Sequence, residues 1–361
     1  MPRLTFRPSN AKPMLEKGIS GLQGLRKRIM SDKIDILGLG NAIVDVIGTT
    51  DDAFLEREAI LKGAMNLIDE ARAEHLLAQM PHAITISGGS AANTTVGIAD
   101  LGATAAYIGK VKADAVGTIF SHDLRKTGVK FDVAFAQDGP ASARSFIFVT
   151  PDGERSMNTF LGACQNLHPA DVDEATVKSA AITYLEGYLW DKPAAKEAFV
   201  KASNIAHAAG NRVAITLSDS FCVDRFRSEF LDLIRSKIVD IVFANEAEIT
   251  SLYETEDFDF AVSEMKKENC LGIITRSERG SLIVEAHEVV AVPAFPITRL
   301  VDSTGAGDLF ASGFLTGLAR GKPHEFSARL GALAAAEVIQ HVGARPQTNL
   351  RHLAHHHGLM I

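Results

Sequence analysis

The chain has 361 residues, 46% of them apolar and 22% charged, enough to bury a large core as one α/β domain or two smaller ones. No stretch approaches the roughly 18 uninterrupted apolar residues of a membrane-crossing helix. Cys164, Cys222 and Cys270 are odd in number and far apart, which argues against a disulfide framework or a zinc site and for the reducing cytoplasm.

The net charge of −7 is unevenly spread. Residues 1–29 hold Arg3, Arg7, Lys12, Lys17, Arg26, Lys27 and Arg28 against Glu16 alone, a balance of +6 that leaves −13 on residues 30–361. An acidic body disfavours nucleic acid as a partner. The leader lacks the apolar centre of a secretion signal and only weakly resembles a transit peptide. Met30 is the expected natural start, and 1–29 is expected to be a basic extension outside the fold.

The short apolar run Ile34–Leu39 predicts a buried strand. It leads into Gly38-Leu39-Gly40-Asn41-Ala42-Ile43-Val44-Asp45, which begins as a dinucleotide fingerprint does but has Ile43 where the third glycine belongs. Asp45 follows the strand, where a carboxylate can accept from both hydroxyls of a ribose diol. Residues 47–69 and 140–163 fit a regular alternation less well. The run 144–150 with the turn Pro151-Asp152-Gly153 predicts a β-hairpin. The two stretches together are expected to form a small β-sheet lid that excludes water when closed.

A strand of the main sheet is expected at 83–86, then Ser87-Gly88-Gly89-Ser90-Ala91-Ala92-Asn93 opening a helix over 91–101. The glycines permit close approach of a ligand, and Asn93 lies one turn beyond Gly89. Gly88, Gly89, Ser90 and Asn93 are therefore candidates to hold a polyhydroxyl substrate, a plain strand-to-helix turn being the alternative. After the strand Ala105–Ile108, Gly109-Lys110-Val111 lacks the residues of a P-loop.

Further strands are expected at 181–185, 213–217, 239–243 and Leu271–Thr275, with helices at 194–208, 226–234 and 327–341. The alternation predicts a doubly wound α/β fold, a mostly parallel sheet flanked by helices. Its core would comprise 30–46, 70–139 and 164–361, with 47–69 and 140–163 as the lid. Asn245-Glu246-Ala247-Glu248 closes the strand at 239–243, at the sheet end where α/β folds bind ligands. Asn245 and Glu248 can share a helix face and hold hydrated Mg2+ or phosphate, or simply begin an acidic helix. Thr275-Arg276-Ser277-Glu278-Arg279-Gly280 is a further strand-end loop.

The most informative stretch is Asp302-Ser303-Thr304-Gly305-Ala306-Gly307-Asp308. Its glycines let the chain turn and present N–H groups, while Phe310, Phe314 and Leu318, four apart, give an apolar helical stripe. A helix is expected from about Gly305. Its unpartnered amides at Gly305, Ala306 and Gly307 form a cradle for a transferring phosphoryl group. Asp308, expected to be held ionised by the same field, can accept the proton of a substrate hydroxyl. For the four residues 305–308 alone, an ordinary acidic helix start is the other reading. His352, His355, His356 and His357 read as an exposed polar tail rather than a metal site.

The longer string, D-S-T-G-A-G-D-x-F-x-x-G-F, resembles the C-terminal signature of the ribokinase-like (PfkB) carbohydrate kinases, with Ser303 where the family often has Thr. Gly88-Gly89 with Asn93, followed by Leu101-Gly102, resembles the N-terminal signature. The likeness runs from about Ile34 to Pro346, and segments 40–45, 217–221 and 243–248 look most like the adenosine kinase branch. The resemblance implies Asp308 as catalytic base and ribose binding by Asn41, Asp45, Gly89 and Asn93. It implies an apolar purine slot of Ile43, Phe221 and Tyr188, for which core packing is the alternative. It places Arg155 of the lid hairpin on the transferring phosphate, Asn245 and Glu248 at a Mg2+–phosphate site, and Thr275, Ser277 and Gly280 at the nucleotide, with Ser277 replacing a family glycine. ATP and Mg2+ are the implied cofactors; K+ activation is left open, as is a monomer or a homodimer. The expected activity is phosphorylation of a nucleoside 5′-hydroxyl, adenosine to AMP, in purine salvage. A sugar kinase of the same fold and a non-catalytic nucleoside- or sugar-binding protein are the other readings.

Overall fold

A computed structural model describes residues 33–80 and 82–361, so the expectations for 1–29 and for a start at Met30 lie outside the described residues. The strands, in chain order, are β1 (Ile34–Leu39), β2 (Ile43–Thr49), β3 (Met65–Leu67), β4 (Ile84–Gly88), β5 (Ala105–Ile108), β6 (Ala143–Val149), β7 (Arg155–Phe160), β8 (Ala180–Glu186), β9 (Arg212–Thr216), β10 (Ile241–Asn245), β11 (Leu271–Thr275), β12 (Ser281–Val284) and β13 (Val289–Val292). Eight form one sheet in the order β13-β12-β11-β10-β9-β8-β1-β5. From β5 to β11 all neighbours are parallel, and β12 and β13 close the edge antiparallel.

Side chains alternate across a strand, so a sheet covered on both faces needs apolar residues at every position. Ile36, Tyr184, Ala214 and Ile241 enter one buried cluster. Their chain neighbours Leu37, Leu185, Ile215 and Val242 enter the other, where Trp190, Phe199 and Phe230 cover the sheet. The doubly wound expectation holds for this sheet.

The remaining five strands form a second sheet, β3-β7-β6-β2-β4. It contains the expected hairpin, β6 with β7. It also contains β4, which the sequence reading placed in the main sheet: β4 pairs antiparallel with β2, Ile43 opposite Gly88 and Asp45 opposite Ile86. The small sheet therefore begins at Ile43 and draws on residues outside 47–69 and 140–163. A short run such as 83–86 cannot reveal its sheet, and Ile84 is in fact 65% exposed.

One helix start is set by a side-chain cap rather than by apolar spacing. Ser220–Arg235 begins six residues before the expected 226, because the Asp219 carboxylate accepts from the Cys222 N–H at 2.7 Å. Phe226 interrupts it with non-helical dihedrals, so the apolar pattern reported only its second part. Ala306–Ala319 starts as expected, with Gly305 as its N-cap. It lies against Ser90–Asp100 so closely that a methyl on Gly97 would stand 2.5 Å from Ser312 Oγ. That approach brings Ser90 and Asn93 to Asp308.

Candidate active site

Parallel strands end together, so the residues after them converge at one rim of the sheet. Asn41 after β1, Glu186 at the end of β8, Thr216 of β9, Asn245 of β10 and Thr275 of β11 all line one cavity of about 490 Å³. The helix starts at Gly89 and Gly305 close one side, and Met65, Leu67, Met157 and Thr159 of the small sheet cover another.

Asp308 is the centre of its polar end. It accepts from Ser90 Oγ at 2.6 Å and from Asn93 Nδ2 at 3.0 Å, one bond to each carboxylate oxygen. Burial raises its pKa, against which Ser90, Asn93 and the Arg345 guanidinium pull it back. The helix field was expected to hold it ionised; desolvation is instead the largest influence. Gly305 takes the left-handed conformation, φ +81°, as the helix cap. Gly305, Ala306 and Gly307 line the cavity beside the carboxylate, as do Ser303 and Thr304.

The predicted substrate residues are brought together here. Asn41 donates to Glu186 Oε1 at 2.9 Å, which leaves its buried Oδ1 without a protein partner; Asn93 Oδ1 is in the same state. Both residues line the cavity, and acceptors there that the protein leaves unsatisfied suit a ligand bearing hydroxyls. Asp45 and Ile43 line the same region, with Gly89 and Ser90 opposite. Burial pushes the Asp45 carboxyl up to about 6, with Arg345 and Arg155 opposing. Gly88 stands behind the cavity wall, where a side chain would meet Asp45 Oδ2 at 2.3 Å. Tyr188 and Phe221 lie at the mouth, 42% and 67% exposed, rather than in the core.

Arg155, the first residue of β7, pairs with Asp302. Asp302 also accepts from the N–H groups of Thr304 at 3.0 Å and Gly343 at 2.8 Å, fixing the loop that precedes Gly305. Arg155 is thus anchored beside the cradle and is not among the cavity-lining residues. Ser277 and Gly280, expected at a nucleotide, form a tight turn after β11, closed by Arg276 N–H to Gly280 O at 2.7 Å, and do not line the cavity.

Asn245 and Glu248 form a reciprocal helix cap: Glu248 N–H donates to Asn245 Oδ1 at 2.9 Å, while Glu248 accepts from Asn245 Nδ2 at 2.6 Å and its N–H at 3.0 Å. The helix-start alternative is what this cap shows, and both residues also line the cavity. Burial raises Glu248 to about 7. Among the described residues no three His, Cys, Asp or Glu gather as a metal cage. Glu248 is a single buried carboxylate on the cavity wall, and one carboxylate with water and phosphate oxygens is a donor set of the kind hydrated Mg2+ accepts.

Two residues escaped the sequence reading. Glu186 accepts from Asn41 N–H at 3.3 Å, Asn41 Nδ2 and Ala91 N–H at 2.9 Å, joining the turns that carry Asn41 and Ala91, and burial lifts it to about 7. Its position at the end of a predicted strand was the available signal. Arg345 donates to Ser87 Oγ at 2.9 Å and faces Asp45, Asp123 and Asp308; nothing near it in the sequence marks it.

Residues 62–350 match the pattern of the pfkB family carbohydrate kinases. The chain is 53% identical to the adenosine kinase from Sinorhizobium meliloti, covering 90% of this chain and 99% of that one with a TM-score of 0.83. It is 52% identical to a probable sugar kinase from Rhizobium etli, covering 91% and 99% with a TM-score of 0.84. The Saccharomyces cerevisiae adenosine kinase is 26% identical over 84% of this chain and 94% of its own length. With its two-sheet architecture and both glycine-rich turns meeting at Asp308, the chain belongs to the pfkB family of carbohydrate kinases.

Proposed function

We propose that the protein transfers the γ-phosphoryl group of ATP to the 5′-hydroxyl of a nucleoside, adenosine before others. The observation that carries this reading is Asp308, buried beside the Gly305–Gly307 amides and held from both sides by Ser90 and Asn93. The acceptor hydroxyl sits against the carboxylate, which takes its proton. The new bond forms between the 5′-oxygen and γ-phosphorus, while the bond to the bridging oxygen breaks and its electron pair leaves with ADP. The amides of Gly305, Ala306 and Gly307 and the Arg155 charge favour the developing negative charge. Asn245 and Glu248 would hold Mg2+, which would supply charge neutralisation on the phosphates.

Asn41, Asp45, Gly89 and Asn93 hold the ribose, with Ile43, Tyr188 and Phe221 around the base. The nucleoside is favoured over a sugar because the cavity continues past the ribose residues to exposed Tyr188 and Phe221, a surface that suits a flat ring and that a bare sugar would leave empty. The adenosine kinase relative at 53% identity supports the same choice.

Asp308→Asn keeps the shape and removes the base. Turnover of adenosine is expected to fall at least about a hundredfold, with adenosine affinity by calorimetry changed much less. A kcat near that of the wild type would remove Asp308 from the mechanism.

A further inference from the structure

Beyond Tyr188 and Phe221 the cavity wall carries a polar group that neither motif accounts for. Gln165, Asp191 and Arg225 line it. Arg225 Nη2 donates to Asp191 Oδ1 at 2.8 Å, and Gln165 Nε2 donates to Asp191 Oδ2 at 3.2 Å. The Arg225 guanidinium in turn lies 5.7 Å from the centre of the Phe221 ring, so the chain of bonds ends on the proposed base slot.

An ionised carboxylate only accepts hydrogen bonds. Asp191 therefore dictates which end of the Gln165 amide it receives: the nitrogen is engaged and the carbonyl oxygen is left over. That oxygen takes no donor among the described residues. Gln165 sits in the short 3₁₀ turn Gly162–Asn166, directly after β7, which fixes its backbone. Arg225 holds Asp191 from the other side, so the amide is oriented before any ligand arrives.

We infer that Gln165, oriented by Asp191 and Arg225, is a specificity-determining residue whose Oε1 accepts from the exocyclic amino group of the base and selects amino-purine over oxo-purine nucleosides. This rests on the proposed nucleoside reading. An acceptor placed opposite an amino group gains a hydrogen bond; opposite the 6-oxo group of inosine it meets another acceptor. A polar site of this kind rejects the mismatched ligand more strongly than an apolar slot does. Asp191 acts through Gln165 and is a positioning residue.

The test is the ratio of kcat/KM for adenosine over inosine in the wild type, Gln165→Leu and Asp191→Asn. A ratio measured on one preparation is insensitive to the fraction that has folded. The wild type is expected to prefer adenosine, and Gln165→Leu to lower the ratio about tenfold, the worth of one hydrogen bond, chiefly through KM for adenosine. Asp191→Asn is expected to lower it too, with Gln165 untouched, because an amide partner lets Gln165 flip. A wild type that prefers adenosine with a ratio unmoved in both variants overturns this inference alone, and a wild-type preference for inosine does the same. Turnover of ribose or fructose with neither nucleoside accepted overturns the nucleoside reading along with it.

Discussion

At the scale of single residues, the proposed chemistry turns on the ionisation of Asp308. Its pKa is raised by burial and pulled back by Ser90, Asn93 and Arg345. A base must be ionised, so activity should fall as pH drops through that raised value, on an acid limb above the ordinary carboxylate range. Ser90→Ala removes a donor that favours the ionised form, so the acid limb of kcat is expected to move to higher pH. A pH–rate profile checks this, and a limb that stays or moves down would contradict it. Asp308, Asn93, Gly89 and Asp45 were legible in the sequence because each sits in a short string whose spacing already fixes its geometry. Glu186 was not, since its partner Asn41 lies 145 residues away, nor Arg345, 258 residues from Ser87. Only the folded chain brings such pairs together.

At the scale of elements, the helix start at Gly305 separates two roles that glycine can play. Gly305 holds φ +81°, and a methyl there would lie 2.8 Å from Ala344 Cα. Gly305→Ala is therefore expected to lower stability by about 1 kcal/mol or more, seen as a lower melting temperature. Gly307 sits in the first helical turn on the cavity side, where an added methyl would meet no atom within 4 Å. Gly307→Ala should leave the melting temperature equal or slightly higher, because alanine is the better helix former by about 1 kcal/mol, yet reduce turnover by crowding the phosphate cradle. Equal losses of stability in the two variants would show that both glycines serve only the fold. Elements with long apolar periodicity were well placed from sequence, Ala306–Ala319 among them. Boundaries set by a single side-chain cap, such as Asp219 ahead of Ser220–Arg235, were not, because the apolar pattern carries no trace of a cap.

At the scale of the whole molecule, the parallel sheet was legible because burial on both faces demands continuous apolar strands. The extent of the second sheet was less so. Strand β4 reads like its main-sheet counterparts but pairs with β2, and this pairing depends on contacts between distant segments rather than on composition. The consequence is one cavity shared by two layers, lined by polar residues near Asp308 and by the exposed rings of Tyr188 and Phe221. That shape is the physical basis for preferring a nucleoside to a sugar, and it is open to a direct comparison. Initial rates of ADP release with Mg·ATP over adenosine, inosine, guanosine, ribose and fructose should give the highest kcat/KM for adenosine, with every nucleoside above either sugar; a sugar turned over more efficiently than the nucleosides, or no ADP released with any of them, would contradict the account.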